Sequence, residues 1–588
     1  MSEQDHKDAE IYHRIVDCQY ACPAHTPVPE YIRLIAQGRY DEAYLVNRSS
    51  NVFPGILGRV CDRPCEPACR RGRVDGEAVA ICRLKRAAAD RKGDVLSHIP
   101  SSPFPQNGKK IALIGAGPAS LTVANDLLPL GYNCVVFEKD STLGGAMQTQ
   151  VPGFRLPQEV LDEEINMILN MGLDVQASQQ IESLESLFTD GFDAVFVGVG
   201  APRGKSLKLP GLEVVEESVF VGVDFLGAVR FDHPFELGEQ TIVIGGGNTA
   251  MDCARSAVRK KSSVTVVAPE GFQQMSASPW ELDETIEEGV TIRNHLLPVG
   301  YRSEFGKLVG VEFRKVTSLY DEQGSFAPKF VDSEVIFIAC SSVILAIGQV
   351  CDYSFLDGKT KWLNEKGKLI IDPQTLQSSH PKVFFGGDAA FGPSNIISAV
   401  AHGHEAAISM HLFLQNKPLV NRPRMQMELL TQKMSLNQWS YDNQFDQFSR
   451  QKNEKDHKNP GLIKEVEFGL SDEQIQKECS RCLNCDVQTV FEEKLCIECD
   501  ACVDICPVGC LQMTDVTDEA QIREDFRIPA RNMSQPLFLS GLSSGRLMAK
   551  DENICLHCGL CSERCPTGAW DMKLSSLKLP KAGDLCED

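Results

Sequence analysis

The feature that most constrains this chain is a cysteine pattern that occurs twice near its C-terminal end. Cys496–Pro507 reads CIECDACVDICP and Cys555–Pro566 reads CLHCGLCSERCP, an internal repeat offset by 59 residues. Three cysteines at two-residue gaps wrap one face of an iron–sulfur cubane, while the fourth, before proline, points to a second cubane. That logic assigns Cys496, Cys499, Cys502 and Cys565 to one [4Fe-4S] cluster, and Cys555, Cys558, Cys561 and Cys506 to another. CxxC pairs also suit tetrahedral zinc, but two full copies each ending in Cys-Pro weigh against it. Cys510 and Cys586 fit no position in the pattern and are read as non-ligands.

The other cysteines are clustered too. Of 23 in all, six lie between Cys18 and Cys82 and thirteen between Cys479 and Cys586. Cys134, Cys253, Cys340 and Cys351 are scattered and read as small core residues. CxxC spacings in a chain with no signal-peptide core read as metal sites rather than disulfides. The net charge of −21 argues against nucleic acid and anionic membrane surfaces, which would repel it. No apolar run reaches the length of a membrane span, and Met1–Glu10 is polar and acidic. The expectation is a cytoplasmic protein without nucleic-acid or membrane partners.

A chain of 588 residues exceeds a single core. The expected fold is multidomain α/β. A helical iron–sulfur domain (1–100) ends at a Ser/Pro/Asn-rich linker. An FAD-binding domain follows (108–235 and 345–415), with an NAD(P)-binding domain inserted in it (236–344). A connector (416–475) leads to an α+β ferredoxin-like domain (476–588) with two [4Fe-4S] clusters.

Two strand–turn–helix–strand units carry the nucleotide signals. In the first, an apolar strand enters Gly115-Ala-Gly117-Pro118-Ala119-Ser120, and Glu138 ends the next strand. Glycine lets helix N-terminal amides approach a pyrophosphate, and a carboxylate at that distance binds ribose hydroxyls. Ser120 stands where a Gly or Ala usually allows close helix–strand packing. The second unit is Gly245-Gly-Gly247-Asn248-Thr249-Ala250, followed by a strand leading to Glu270. A carboxylate there favours the ribose diol of NAD and repels the extra phosphate of NADP. Arg255, Arg259, Lys260 and Lys261 nearby keep NADP open, or form a solvated helix end. Strand ends at Gly387-Asp388 and at Ala346-Ile-Gly348-Gln349 agree with a two-nucleotide flavin reductase.

From about residue 18 to about 415 the chain resembles the small subunit of bacterial glutamate synthase and the N-terminal half of dihydropyrimidine dehydrogenase. The likeness rests on CDRPCEPAC (Cys61–Cys69), GAGPAS, LGG at Leu143–Gly145, PGFRLP at Pro152–Pro157, GGGNTAMD, AIGQ and GGD. The C-terminal segment resembles bacterial two-cluster ferredoxins, with a longer stretch between the copies. The first resemblance implies FAD on the Gly115 loop, Glu138, Gly145, Arg155 and Gly387–Asp388. It also implies a nicotinamide nucleotide on Gly245–Ala250 and near Gly348, plus two [4Fe-4S] clusters in the N-terminal domain.

Three departures sharpen these expectations. The family's Arg pair after the second nucleotide strand is replaced by Pro269 and Glu270, which favours NADH. The RCLxC stretch that precedes the first cysteines in the family is absent before Cys18, yet Arg481–Cys485 carries it. We therefore expect Cys482 and Cys485 to return in space and join Cys18 and Cys69 around one cluster. The competing reading gives Cys479, Cys482 and Cys485 a separate site, or none. Lys85 stands where the family has a Glu or Gln ligand, so Cys82, one helical turn earlier, is expected to complete a cluster with Cys22, Cys61 and Cys65; alternatively Cys82 is merely buried.

No hydrolytic constellation is apparent, and the catalysis expected is flavin-centred. His402 and His404 either approach the flavin or simply pack. The whole reads as an NAD(H)-linked flavin and iron–sulfur electron-transfer subunit of an anaerobic, multi-subunit oxidoreductase, exchanging hydride with NADH and single electrons with other subunits. The alternatives are a glutamate synthase small-subunit type of dehydrogenase feeding a separate large subunit, and a non-enzymatic cluster scaffold with an inactive flavin site.

Overall fold

The computed structural model describes residues 16–584 apart from 102–103, 357, 359–360, 366, 434–447, 457–460 and 527–535. Cys586, the N-terminal acidic stretch and parts of the expected connector lie outside the described residues. The chain forms two compact units. One combines residues 1–99, 420–454 and 469–588; the other combines 100–419 and 455–468. The connector is thus divided, its 455–468 stretch belonging with the nucleotide-binding segments.

In the nucleotide-binding unit, two five-stranded parallel sheets stand where the two glycine loops predict them. The first has the order Val383–Phe385, Ala194–Val197, Lys110–Ile114, Asn133–Glu138, Asp174–Ala177. Its central strands are buried from Ile111 to Ile114 and from Ala194 to Val197. Such continuous apolar runs belong to strands covered on both faces. The second sheet runs Val219–Val221, Ser342–Leu345, Gln240–Ile244, Ser263–Val267, Thr291–Arg293.

The boundary expected at residue 235 needs correction. Val219–Val221 pairs with Ser342–Leu345, and Phe225, Leu226 and Val229 of the next helix pack in the core of the second sheet. The inserted domain therefore begins before residue 236. It also carries a three-stranded antiparallel ribbon, Leu296–Glu304, Lys307–Tyr320 and Phe326–Ala339.

The other unit joins the two ends of the chain. Helices Val28–Ala36, Tyr40–Asn51, Pro54–Val60 and Ile81–Arg91 form its N-terminal part. Val28, Tyr31, Ile32 and Ile35 make the buried stripe of the first of these. The C-terminal part has two three-stranded antiparallel sheets. One places Trp570–Lys578 between Gln426–Lys433 and Val487–Phe491; the other places Leu547–Lys550 between Leu511–Thr514 and Phe538–Gly541. Short helices Ala501–Ile505 and Leu560–Arg564 carry the third cysteine of each triplet, Cys502 and Cys561. Among the described residues no helix is long and apolar enough to cross a membrane.

Candidate nucleotide and iron–sulfur sites

The first glycine loop turns sharply into the helix Pro118–Leu127, with Gly117 as its N-cap. Gly115 has φ +85°, and a Cβ there would lie 2.9 Å from the Gly198 carbonyl. Gly145 has φ +54°, and its Cβ would sit 2.9 Å from the Gly117 Cα. Only glycine permits these approaches, and the amides at the start of this helix are the groups that can bind a pyrophosphate. Ser120 is fully buried and its Oγ makes no hydrogen bond. It fits because the facing strand end is Gly198, whose Cβ would lie 2.3 Å from that Oγ. Glu138 accepts from the Ala116 amide at 2.7 Å and the Asp140 amide at 3.0 Å. Burial pushes its carboxyl up, opposed by those two amides.

Gly387 lies 3.4 Å, at its would-be Cβ, from Ala119, so the Gly387–Asp388 turn meets the same helix N-terminus. Burial pushes the Asp388 carboxyl up to about 6, although Ser394 donates a backbone hydrogen bond to it. Arg155, expected at the flavin, is held by the second sheet's helices. Its Nη1 donates to both Asp252 oxygens at 2.7 and 2.8 Å, and its Nη2 to Glu281. His404 pairs with Asp126 at 2.6 Å, a packing role. The His402 ring lies tilted by 36° against Phe391 with ring centroids 4.5 Å apart, and its Nδ1 is buried without a hydrogen bond.

The second loop repeats the design. Gly245 has φ +143°, and a Cβ would lie 2.2 Å from the Ala346 carbonyl; Gly247 caps the helix Asn248–Arg259. Asn248 Oδ1 accepts from the Ser278 amide at 2.8 Å, and Ala250 is buried against the strand. Thr249 is half-buried. Gly348 has φ +106° beside the Lys205 side chain. The Glu270 Oε2 lies 3.1 Å from the place of a Gly246 Cβ and is buried with no hydrogen-bond partner. Arg255 and Arg259 are committed elsewhere: Arg255 pairs with Glu281, Glu284 and Glu288, and Arg259 with Glu288 while lying 3.7 Å above the Phe154 ring.

In the other unit, Cys18, Cys69, Cys482 and Cys485 line a single cavity walled by Val28, Ile32, Val79 and Ile81. The fold draws the downstream pair in by identifiable contacts. A capping box, Ser471 with Gln474, starts the helix Asp472–Ser480 that runs into Arg481. The Arg481 side chain is wholly buried. It donates to Glu478 at 2.9 Å and to the carbonyls of Glu77 and Ala78 at 2.7 and 3.0 Å, and pairs with Asp75 at 3.2 Å. Arg33 grips Asp486 with a bidentate pair at 2.6 and 2.5 Å. Burial, then the neighbouring thiols of Cys69, Cys485 and Cys482, hold the Cys18 thiol well above its usual range.

Cys22, Cys61, Cys65 and Cys82 are all buried. The Cys82 thiol sits close enough to those of Cys61 and Cys65 for them to act on its titration. Lys85 is buried one turn along the same helix. Desolvation opposes its charge, but the thiols of Cys82, Cys61, Cys65 and Cys22 outweigh it and raise its pKa. Cys479 is buried beside Cys482 but does not line the Cys18 cavity.

The C-terminal cysteines assort across the repeat. Cys496 and Cys502 both interact with Cys565, and Cys496 also with Cys499. A separate cavity is lined by Cys506, Cys555, Cys558 and Cys561. Cys510, placed outside the pattern, also lines it, its Sγ 3.5 Å from that of Cys506. Lys550 is buried beside this cavity, hydrogen-bonded to Thr489 and Glu552. Of the scattered cysteines, Cys134, Cys253 and Cys340 are core residues; Cys351 is half-buried and donates to the Asp388 carbonyl at 3.1 Å. Soft thiolates in fours, walled by apolar side chains, suit iron–sulfur cubanes, and the two glycine cradles suit dinucleotides.

Comparison with known proteins agrees with this division. Residues 109–403 match the pyridine nucleotide-disulphide oxidoreductase family, residues 12–95 the 4Fe-4S domain II of dihydropyrimidine dehydrogenase, and residues 495–569 a 4Fe-4S dicluster domain. The chain is 35% identical to the NADP(+)-dependent formate dehydrogenase subunit beta of Moorella thermoacetica, over 68% of this chain and 60% of that one. It thus spans less than two thirds of that relative. It is 32% identical to the NADPH-Fe(3+) oxidoreductase subunit beta of Geobacter sulfurreducens, over 80% of this chain and 76% of that one. It is 31% identical to the glutamate synthase [NADPH] small chain of Escherichia coli, over 66% and 87% respectively. The chain belongs to the pyridine nucleotide-disulphide oxidoreductase family, an FAD- and NAD(P)H-dependent fold flanked here by [4Fe-4S] domains on both sides.

Proposed function

We propose that this protein is a cytoplasmic NADH-linked electron-transfer subunit that works with other subunits of an oxidoreductase complex. When bound, the flavin exchanges a hydride with nicotinamide and the clusters carry single electrons. The chain's own residues set the conditions. The Gly115–Ser120 and Gly245–Ala250 loops receive the two pyrophosphates, Glu138 the flavin-side ribose, and Glu270 the ribose diol of NADH. Four sets of thiolates hold four cubanes: Cys18, Cys69, Cys482 and Cys485; Cys22, Cys61, Cys65 and Cys82; Cys496, Cys499, Cys502 and Cys565; and Cys506, Cys555, Cys558 and Cys561.

The observation that carries this reading is the cavity in which Cys482 and Cys485 meet Cys18 and Cys69. It supplies four thiols where the N-terminal segment alone supplies two. A docking edge for the partner is supported near the third set. There Cys499 is exposed and Leu495, Ile497 and Ile505 are 41%, 62% and 37% exposed. The test is an anaerobic preparation assayed for flavin, iron and NADH-dependent reduction of a viologen dye. One flavin, about sixteen irons and NADH-driven reduction support the reading. Irons without flavin would leave only a cluster scaffold.

A further inference from the structure

One arginine joins two of the cysteine sets. Arg70 follows Cys69 in sequence, is 1% exposed, and lines the cavity of Cys18, Cys69, Cys482 and Cys485. Its charge acts on the Cys485 thiol. Its Nη1 turns the other way and donates to the backbone carbonyls of Glu552 and Cys555, both at 2.6 Å. Cys555 lines the next cavity. Asp17, which precedes Cys18, holds the Arg70 Nε at 2.9 Å and the Arg73 Nη2 at 3.0 Å, and Arg73 donates to the Asn553 carbonyl. Arg70 and Arg73, tied together by the residue before Cys18, thus clamp the turn that carries Cys555. Nη2 of Arg70 makes no hydrogen bond, so the guanidinium is not fully spent on holding the backbone.

We propose that Arg70 is a positioning residue that couples the Cys18/Cys69/Cys482/Cys485 set to the Cys506/Cys555/Cys558/Cys561 set, making these two the adjacent members of the cluster series. The inference rests on the ligand assignments proposed above. A buried cation beside both sets favours the more negative, one-electron-reduced state of each cluster, because outer charges and hydrogen bonds set cluster potentials. Its removal therefore acts on two potentials at once, one belonging to each end of the chain. A residue serving only to pack the backbone has no such paired effect.

The experiment is an EPR-monitored reductive titration of the anaerobic holoprotein and its R70M and R70K variants, each with iron analysis. The two signals are assigned with C482S and C558S, which alter one set each. The expected result is unchanged iron, two of the four potentials shifted downward together in R70M, and partial restoration in R70K. With about sixteen irons retained, a shift of one potential or none in R70M overturns the inference. So does iron loss in both R70M and R70K, which marks Arg70 as structural. A wild-type content of about eight irons instead overturns the ligand assignments themselves, and the coupling with them.

Discussion

Replacing Glu270 by glutamine tests the nucleotide preference. The carboxylate faces the second glycine loop with Oε2 buried and unpaired, where the adenosine ribose of a bound nucleotide is expected. A 2′-phosphate carries about −1.5 to −2 charges. At ~5 Å and an effective dielectric constant of ~40 for a half-buried site, each charge pair costs about 1.7 kcal/mol. The penalty against NADPH is then roughly 2.5–3.3 kcal/mol, or about 70- to 270-fold in kcat/KM. Arg255 and Arg259 do not offset it, being paired with Glu281, Glu284 and Glu288. Initial rates of viologen reduction with each nucleotide give the ratio directly. The wild type should prefer NADH, and E270Q should raise kcat/KM for NADPH by about tenfold or more. A wild type preferring NADPH, or a ratio unmoved by E270Q, would refute the argument. Arg293, exposed and in register with Val267 at the next strand end, would then be the cation to examine. The named relatives make the test pointed, since all three carry NADP(H) in their names.

Other outcomes follow from particular contacts. R481M removes the counter-charge of the buried Glu478 and the donor to the Glu77 carbonyl, costing about 3–5 kcal/mol, and should lower both the urea midpoint and the iron content. S120A removes a buried hydroxyl with no partner and should stabilise the flavin unit by about 1 kcal/mol, measured as a higher urea midpoint for loss of flavin fluorescence quenching. Asp388 gives a pH dependence of definite sign. Its folded pKa is raised to about 6 from 3.8, so its stabilising contribution is present below the unfolded value and is lost as pH rises through about 6. The wild type should therefore lose stability relative to D388N between pH 4 and 7, by about 2 kcal/mol, in flavin-free protein; a pH-independent difference would contradict this.

Much of the site was legible because its chemistry imposes spacing. The cysteine repeat, the two glycine loops and Glu138 stand on the strands and helix starts that their patterns predict. The return of Arg481–Cys485 was legible as a displaced motif, and the structure supplies its cause in Arg481 and in the Arg33–Asp486 pair. Features set by tertiary partners were not legible. The short strand Val219–Val221 joins the second sheet by pairing with Ser342–Leu345, a partner more than a hundred residues away. The antiparallel ribbon turns through Phe305 and Gly306, both at positive φ, without the Asn-Gly pair that usually signals such a turn. Arg155 binds Asp252 and Glu281 because the folded helices put two carboxylates beside it, which no local pattern announces. Lys85 was legible as the residue at the family's ligand position, whereas Arg70 looks like a surface cation in sequence, and only its burial beside thiols reveals otherwise.

The central claim is that the two ends of the chain share one cluster, and iron counting in a single ligand variant tests it most directly. Anaerobically prepared wild type should hold about sixteen irons per chain, and C482S about twelve, with the N-terminal EPR signal lost and the C-terminal pair intact. Loss of no iron in C482S, or a wild type with about eight irons, would contradict the account.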